Sequence, residues 1–484
     1  MANHTLFQFF EWHVPNDGNH WKGLKNEAEH LAEIGVSAVW IPPATKALTQ
    51  EDAGYGIYDL YDLGEFNQKG TVRTKYGTKE ELIEAIEELH NNGIQVYLDV
   101  VLNHKAGADG TERFMAQEVA VDNREEVLSK PYEIEGWTKF DFSGRGEKYS
   151  DFKWNWTHFT GTDYNAENDK SSIYKIIGEN KGWGDEVDDE FGNYDYLMFA
   201  DIDYKHPEVY KEVINWGVWV VNELNLDGFR LDAIKHINDW FIKDFLKYVR
   251  ENTEKEEIYA VGEYWRGELG VLQQHLDNVD YGLDLFDVAL HYNFCLAAEE
   301  GRNYDFSTIF NGTLVENNPL HAVTFVDNHD SQPGQSLESW VEDWFKPLAY
   351  ALILLRKDGY PCVFYGDYYG ISGEEPIEGK REMLYKLLEL RKHYTYGLQE
   401  DYLNHPNVIG WVRMGEEEFE DSGAAVIMSN GDEGEKVMNV GKHRAGECWM
   451  DFLGNREEVI TIDEEGNGCF TVNGGSLSVW VKKK

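Results

Sequence analysis

The sequence predicts an α/β chain. Its main body is a (β/α)8 TIM barrel, with a β-rich domain inserted after strand three and a C-terminal antiparallel β-sandwich domain. Three observations lead there. Apolar, β-like runs alternate with amphipathic helical stretches. That rhythm stops after His104 and resumes near residue 200. Past about Tyr396, short alternating segments broken by Gly and Asp turns take over. A length of 484 residues suits one large barrel with attachments, and 42% hydrophobic with 14% aromatic residues is enough for a large core.

In order, strand "TLFQFFEWH" precedes helix "LKNEAEHLAEIG", and strand "VSAVWIPP" leads through a loop to helix "TKEELIEAIEELHNNG". There Leu82, Ile86 and Leu89 recur at helical spacing and Gly93 supplies the stop. Strand "IQVYLDVVLNH" follows. Strands apolar on both faces and alternating with helices argue for a parallel sheet covered by helices. The next stretch, with "DFKWNWTHFTGTDYNAEND" and "GNYDYLMFADIDY", is polar, aromatic and loop-rich. A structureless loop that long is improbable, so it reads as an inserted domain. The alternation resumes with helix "HPEVYKEVINWGVWVVNELN", strand "LDGFRLDA" and helix "DWFIKDFLKYVREN". Strands "IYAVGEYW", "LFDVALH" and "AVTFVDNHD" follow, then helix "WFKPLAYALILLRKDG" and strand "PCVFYGDYYG", completing eight strands. The expected bounds are 1–103 and 201–395 for the barrel, 104–200 for the insert and 396–484 for the C-terminal domain.

Charge excludes some partners. With 44 Lys+Arg against 89 Asp+Glu the formal charge is −45, which opposes binding to nucleic acid or anionic membrane. Adaptation to high salt is the sharper reading of this excess, since counterions screen the self-repulsion. Cys295, Cys362, Cys448 and Cys469 form no C-x-x-C pair and read as free thiols. No apolar run approaches a membrane-spanning length. The start "MANHTLFQFFEWH" lacks a basic, apolar leader, which favours a cytoplasmic location, with a mature secreted form carrying an added Met left open.

Chemistry concentrates at strand ends. In "GFRLDAIKH", strand alternation puts Arg230 and Asp232 on one face and Phe229 and Leu231 on the other. "DVVLNH" ends strand three with Asp99, Asn103 and His104; "VGEYW" ends strand five with Glu263; "FVDNHD" ends strand seven with His329 and Asp330. The C-terminal strand ends of such a barrel converge on one face. A single acid there is readily a helix cap, but three on different strands repel one another and need a role.

Taken together, these four segments resemble the four short motifs of the α-amylase family, in the same order and context. The likeness spans the whole chain and is greatest to bacterial liquefying-type α-amylases, which carry sequences like "FEWHVPNDGNHW", "GYGIYDLYDLGEFNQKGTVRTKYGTKEEL" and "GNYDYLMFADIDY". The resemblance implies endo-hydrolysis of internal α-1,4-glucosidic bonds in starch, glycogen and maltodextrins by a monomer. Asp232 would be the nucleophile, kept ionised by Arg230; Glu263 the general acid/base, its pKa raised by aromatics such as Trp265; Asp330 the transition-state stabiliser. Retention of configuration would place the Asp232 and Glu263 carboxyls about 5–5.5 Å apart. His104 and His329 would donate to sugar hydroxyls, Tyr55 would stack on the ring, and Trp12, Lys235 and His236 would line flanking positions.

The resemblance also implies one Ca2+ held by Asn103, Asp195, Asp201 and the His236 carbonyl, clamping the insert to the barrel. Thr160 and Gly184 stand where relatives with further metal sites carry aspartates, and Pro406, Asn407 and Asn430 replace stronger ligands at the C-terminal junction, so a single ion is expected. A transglycosylase on the same scaffold and a non-catalytic glucan-binding protein are the alternatives. The first shares all three carboxylates, and the second would be expected to lack some of them. A metal-dependent hydrolase would need a His/Asp cluster that the strand ends do not offer.

Overall fold

The computed structural model describes residues 3–255 and 257–483. Met1, Ala2 and Lys484, at the ends of the expected domain bounds, lie outside the described residues. Eight parallel strands close into a barrel: β1 (Leu6–Gln8), β2 (Ala38–Ile41), β3 (Gln95–Val100), β4 (Gly228–Leu231), β5 (Tyr259–Gly262), β6 (Asp284–Phe286), β7 (Ala322–Phe325) and β8 (Tyr360–Phe364). Neighbours in sequence are neighbours in space, and β8 pairs with β1 to close the ring. The β3–β4 register sets Asp99 opposite Arg230. That pairing turns two separate motifs into one site.

Local chemistry explains the covering helices. Lys79–Asn91 starts with a capping box, Thr78 accepting from the Glu81 amide and Glu81 from the Thr78 amide. It ends where Gly93 takes φ 74°, a left-handed turn suited to glycine, and its N–H bonds the His90 carbonyl. Two expected elements differ. "LFDVALH" is a strand only over Asp284–Phe286; Asp287 then caps a helix, Val288–Glu300, by accepting from the Leu290 amide. Between β5 and β6 lies a further helix, Leu269–Asn278, which buries only Leu272, His275 and Leu276 and carries no side-chain cap, so its sequence signal is weak.

The insert is a six-stranded sheet running from His104–Lys105 to Ala200–Ile202, and these two end strands pair with each other. Asp201 stands opposite His104, so the root of the sheet sits on the barrel rim beside β3. At the C-terminus, a six-stranded antiparallel sheet packs with the ribbon Gly434–Asn439/Asn467–Val472 around Val412, Ile427, Met438, Trp449, Phe470 and Trp480.

Candidate active site

Arg230 organises the cleft. It is fully buried, its guanidinium 4.9 Å from the centre of the Trp40 ring. Nη1 donates to Asp99 Oδ1 at 2.8 Å and to Asp232 Oδ1 at 2.5 Å, while Nη2 lies 3.2 Å from Glu263 Oε2. One cation therefore touches acids from β3, β4 and β5. Asp99 is saturated with donors: Tyr55 Oη at 2.8 Å and Trp40 Nε1 at 3.0 Å bond its second oxygen. Burial raises its carboxyl, Arg230, Tyr55 and Trp40 oppose that rise, and the same contacts fix both Arg230 and Tyr55.

The turn after β4 aims the next acid. Ala233 adopts φ 49°, ψ 38°, a left-handed conformation unusual for a residue with a Cβ. This bends its N–H onto Glu263 Oε2 at 2.9 Å, while the Ile234 amide takes the Glu263 carbonyl at 3.1 Å. The tips of β4 and β5 are thereby stitched together.

Electrostatics separates the acids. Burial pushes the Asp232 carboxyl up to about 6, and contact with Arg230 pulls against that rise. Burial also raises Glu263, opposed by Arg230 and reinforced by the charge on Asp232. Asp330 is raised strongly, by burial and then by repulsion from Glu263. The four carboxyls titrate as a coupled set. Asp99 and Asp232 accept the hydrogen bonds of Arg230, which favours their charged forms over those of Glu263 and Asp330.

Aromatic rings wall the cleft. Tyr55 stacks on His329 at 5.1 Å and 12°, and Trp12 stacks on Tyr55 at 5.6 Å and 7°. Gln8 Nε2 donates to His329 Nδ1 at 3.0 Å, which leaves the proton on Nε2; that nitrogen has no hydrogen-bond acceptor and lies 3.2 Å from Asp330 Oδ2. His104 differs. Its Nε2 donates to the Tyr55 carbonyl at 2.9 Å and its Nδ1 accepts from Asn103 at 3.3 Å, so both ring nitrogens serve the protein. Lys235 bonds Glu190 Oε2 at 2.9 Å and His236 Nδ1 donates to the Tyr194 carbonyl at 2.7 Å, both reaching into the insert. Trp265 packs near Phe325 and donates to Tyr292 at 2.8 Å.

Of the residues singled out from the sequence, Asp232, Glu263, Asp330, Arg230, Tyr55, Trp12 and His329 meet around this cleft. Sequence reasoning missed the supporting roles of Asp99, Trp40, Gln8 and Gln332, whose Oε1 accepts from the Trp12 amide at 3.2 Å. An acid inside the apolar run "VYLDVV" was a signal for Asp99; the others carry none.

Beside the cleft, Asp195 and Asp201 are buried and each keeps one oxygen, Oδ2 and Oδ1 respectively, without a partner. Burial raises both carboxyls, Asp195 to about 6. Thr160 Oγ1 donates to Asp201 Oδ2, and a Cβ on Gly184 would lie 2.3 Å from Asp195 Oδ1. Two orphaned hard oxygens fit a cation. Asp203 has its own: Lys181 Nζ bonds Asp203 Oδ2 at 2.5 Å and the Phe159 carbonyl at 3.1 Å. A second cluster, His158, His206 and Glu208, has metal-like spacing. His158 Nδ1 accepts from the Asn155 amide at 3.1 Å, so Nε2 carries the proton and offers no lone pair.

Residues 9–421 match the model of the α-amylase catalytic domain. The chain belongs to the α-amylase family. It is 55% identical over 483 residues to a glucan 1,4-α-maltohexaosidase of Bacillus sp. (strain 707), covering 100% of this chain and 93% of that protein. An α-amylase of Bacillus licheniformis is 54% identical, covering 99% and 94%. A cytoplasmic α-amylase of Escherichia coli (strain K12) is 46% identical over 99% of both chains. Among solved structures, an Anoxybacillus α-amylase aligns with TM-score 0.64 at 18% identity, covering 100% and 98%, a likeness of fold. The chain is thus a glycoside hydrolase of this family, and as expected its barrel carries a C-terminal β domain.

Proposed function

We propose that the cleft hydrolyses internal α-1,4-glucosidic bonds of starch, glycogen and maltodextrins with retention of configuration. One observation supports the assignment of roles: Arg230 hydrogen-bonds Asp232, which favours its anion, while Glu263 lies 3.2 Å from the other nitrogen and is raised by burial and by the charge on Asp232. Asp232, the anion, attacks the anomeric carbon; Glu263, the acid, protonates the departing glycosidic oxygen. A glycosyl ester forms on Asp232 as the leaving sugar departs. Glu263, now a carboxylate, takes a proton from water, and the hydroxide attacks the same carbon and frees Asp232. Asp330 faces the oxocarbenium-like transition state, and the Nε2–H of His329 donates to a sugar hydroxyl. Tyr55 and Trp12 present flat rings for sugar faces.

The same reading assigns one calcium to Asp195 and Asp201, with Asn103 and the His236 carbonyl completing the set. Bound there, the ion would neutralise two buried acids and hold the root of the insert against β3. Thr160 on Asp201, the bare Gly184 and the ammonium of Lys181 on Asp203 support a single ion. A cytoplasmic location is supported by the E. coli relative's name and by four free cysteines. Among the described residues no helix is long and apolar enough to cross a membrane.

Reducing-end release from soluble starch and a product time course on maltoheptaose, each with and without chelator, test the proposal. Shorter maltodextrins without longer ones are expected. Products longer than the starting chain would indicate a transglycosylase.

A further inference from the structure

The three acids are not equally anchored. Asp232 and Glu263 lean on Arg230, whereas the close polar side-chain neighbour of the Asp330 carboxyl among the described residues is the imidazole of His329. Its side chain is also more open, 18% exposed against 10% for Asp232 and 6% for Glu263. The backbone beneath it must set its aim.

That backbone is tied by a chain of buried contacts. Asn328 Oδ1 accepts from the Asp330 amide at 2.9 Å and the Ser331 amide at 2.8 Å. Ser331 Oγ accepts from the Asn328 amide at 2.9 Å and donates to Asp327 Oδ1 at 2.8 Å. The other oxygen of Asp327 accepts from Lys346 Nζ at 2.7 Å, and the same ammonium reaches Asp367 Oδ1 at 2.5 Å. Lys346 is completely buried, with the Trp340 ring centre 3.1 Å from its nitrogen. It opens the helix Lys346–Leu354, where the helix dipole disfavours a cation. Helix stability therefore does not explain a lysine here.

We infer that Lys346 is a positioning residue for the reaction: through Asp327 and Ser331 it fixes the turn that points the Asp330 carboxyl into the cleft. This rests on the role of Asp330 proposed above. Lys346 touches no substrate atom, so its loss alters the rate and leaves binding nearly as it was.

The test measures kcat and KM on a chromogenic maltoheptaoside, with thermal melting, for Ser331→Ala, Lys346→Met, Asp330→Asn and the two doubles carrying Asp330→Asn. Ser331→Ala is expected to lower kcat about tenfold or more with KM within about threefold. Neither change should reduce the residual turnover of Asp330→Asn further, because the group they aim is already gone. A general structural role would lower that residual again. If Lys346→Met fails to fold, Ser331→Ala decides alone, since it removes one hydroxyl and leaves the ion cluster in place. Parental kcat in Ser331→Ala, or losses that multiply in the double, overturn the inference while an inactive Asp330→Asn keeps the acid's role. Full turnover in Asp330→Asn overturns both.

Discussion

Two buried ion clusters stand at the same end of the barrel and do different work. One gathers Asp99, Asp232 and Glu263 around Arg230 at the tips of β3, β4 and β5; the other gathers Asp327 and Asp367 around Lys346 after β7 and β8. The second is sealed, with Lys346 and Asp327 at 0% exposure, and its remaining oxygens are taken by Ser331 and Tyr350. The first is left unfinished: Nε of Arg230 has no partner, and Asp232 opens toward the cleft. A closed buried cluster fixes geometry. One that lacks partners on its solvent side keeps chemistry in reserve.

The sharpest break between them is activity against stability. Asp232→Asn or Glu263→Gln should lower kcat on starch by on the order of 10⁴-fold or more. Melting should hold or rise for Asp232→Asn, because losing that charge relieves its repulsion with Asp99, and should hold for Glu263→Gln, which replaces a protonated acid by a neutral amide. Circular dichroism and calorimetry check the second half, and substantial turnover in either variant removes the assigned role. Lys346→Met should do the reverse to stability, costing about 3–5 kcal/mol in urea unfolding, because it strands two acids with no cation.

The insert offers a third case, a cluster whose cation comes from outside. Chelation should lower stability by about 3–4 kcal/mol relative to saturating calcium, as mass action gives for ligand at 100 to 1,000 times its dissociation constant. Calcium titration of the melting temperature measures this, and Asp195→Asn should abolish the response.

A pH profile sharpens the contrast within the cleft. Turnover needs Asp232 ionised, and burial holds its carboxyl near about 6, so kcat/KM should fall as pH drops through that value. On the alkaline side the rate should fall as Glu263 loses its proton. Stability has its own acid limb: burial depresses His20, His104 and His291 to about 4, so the stability they contribute is present above pH 6.5 and lost as pH falls toward 4.

Salt should act least. With a formal charge of −45, molar NaCl should raise the urea midpoint by screening exposed acids, yet leave the cost of Lys346→Met unchanged because that cluster is sealed. An unchanged midpoint would remove the idea of salt adaptation.

The sequence by itself determined the strand count, the insertion point and the acids that end β4, β5 and β7. Periodicity and turn residues are local signals, and the motif carrying Arg230 and Asp232 holds both within three residues. Strand alternation alone put them on one face. The short helix Leu269–Asn278 escaped because it buries so little. What only the tertiary structure decided is who shares a charge with whom. Asp99 lies 131 residues from Arg230 and Lys346 lies 19 from Asp327, and no periodicity links such positions. The register of β3 against β4, the left-handed turn at Ala233 and the sealing of Lys346 set those distances. Electrostatic energy depends on separation and burial, and a linear sequence specifies neither.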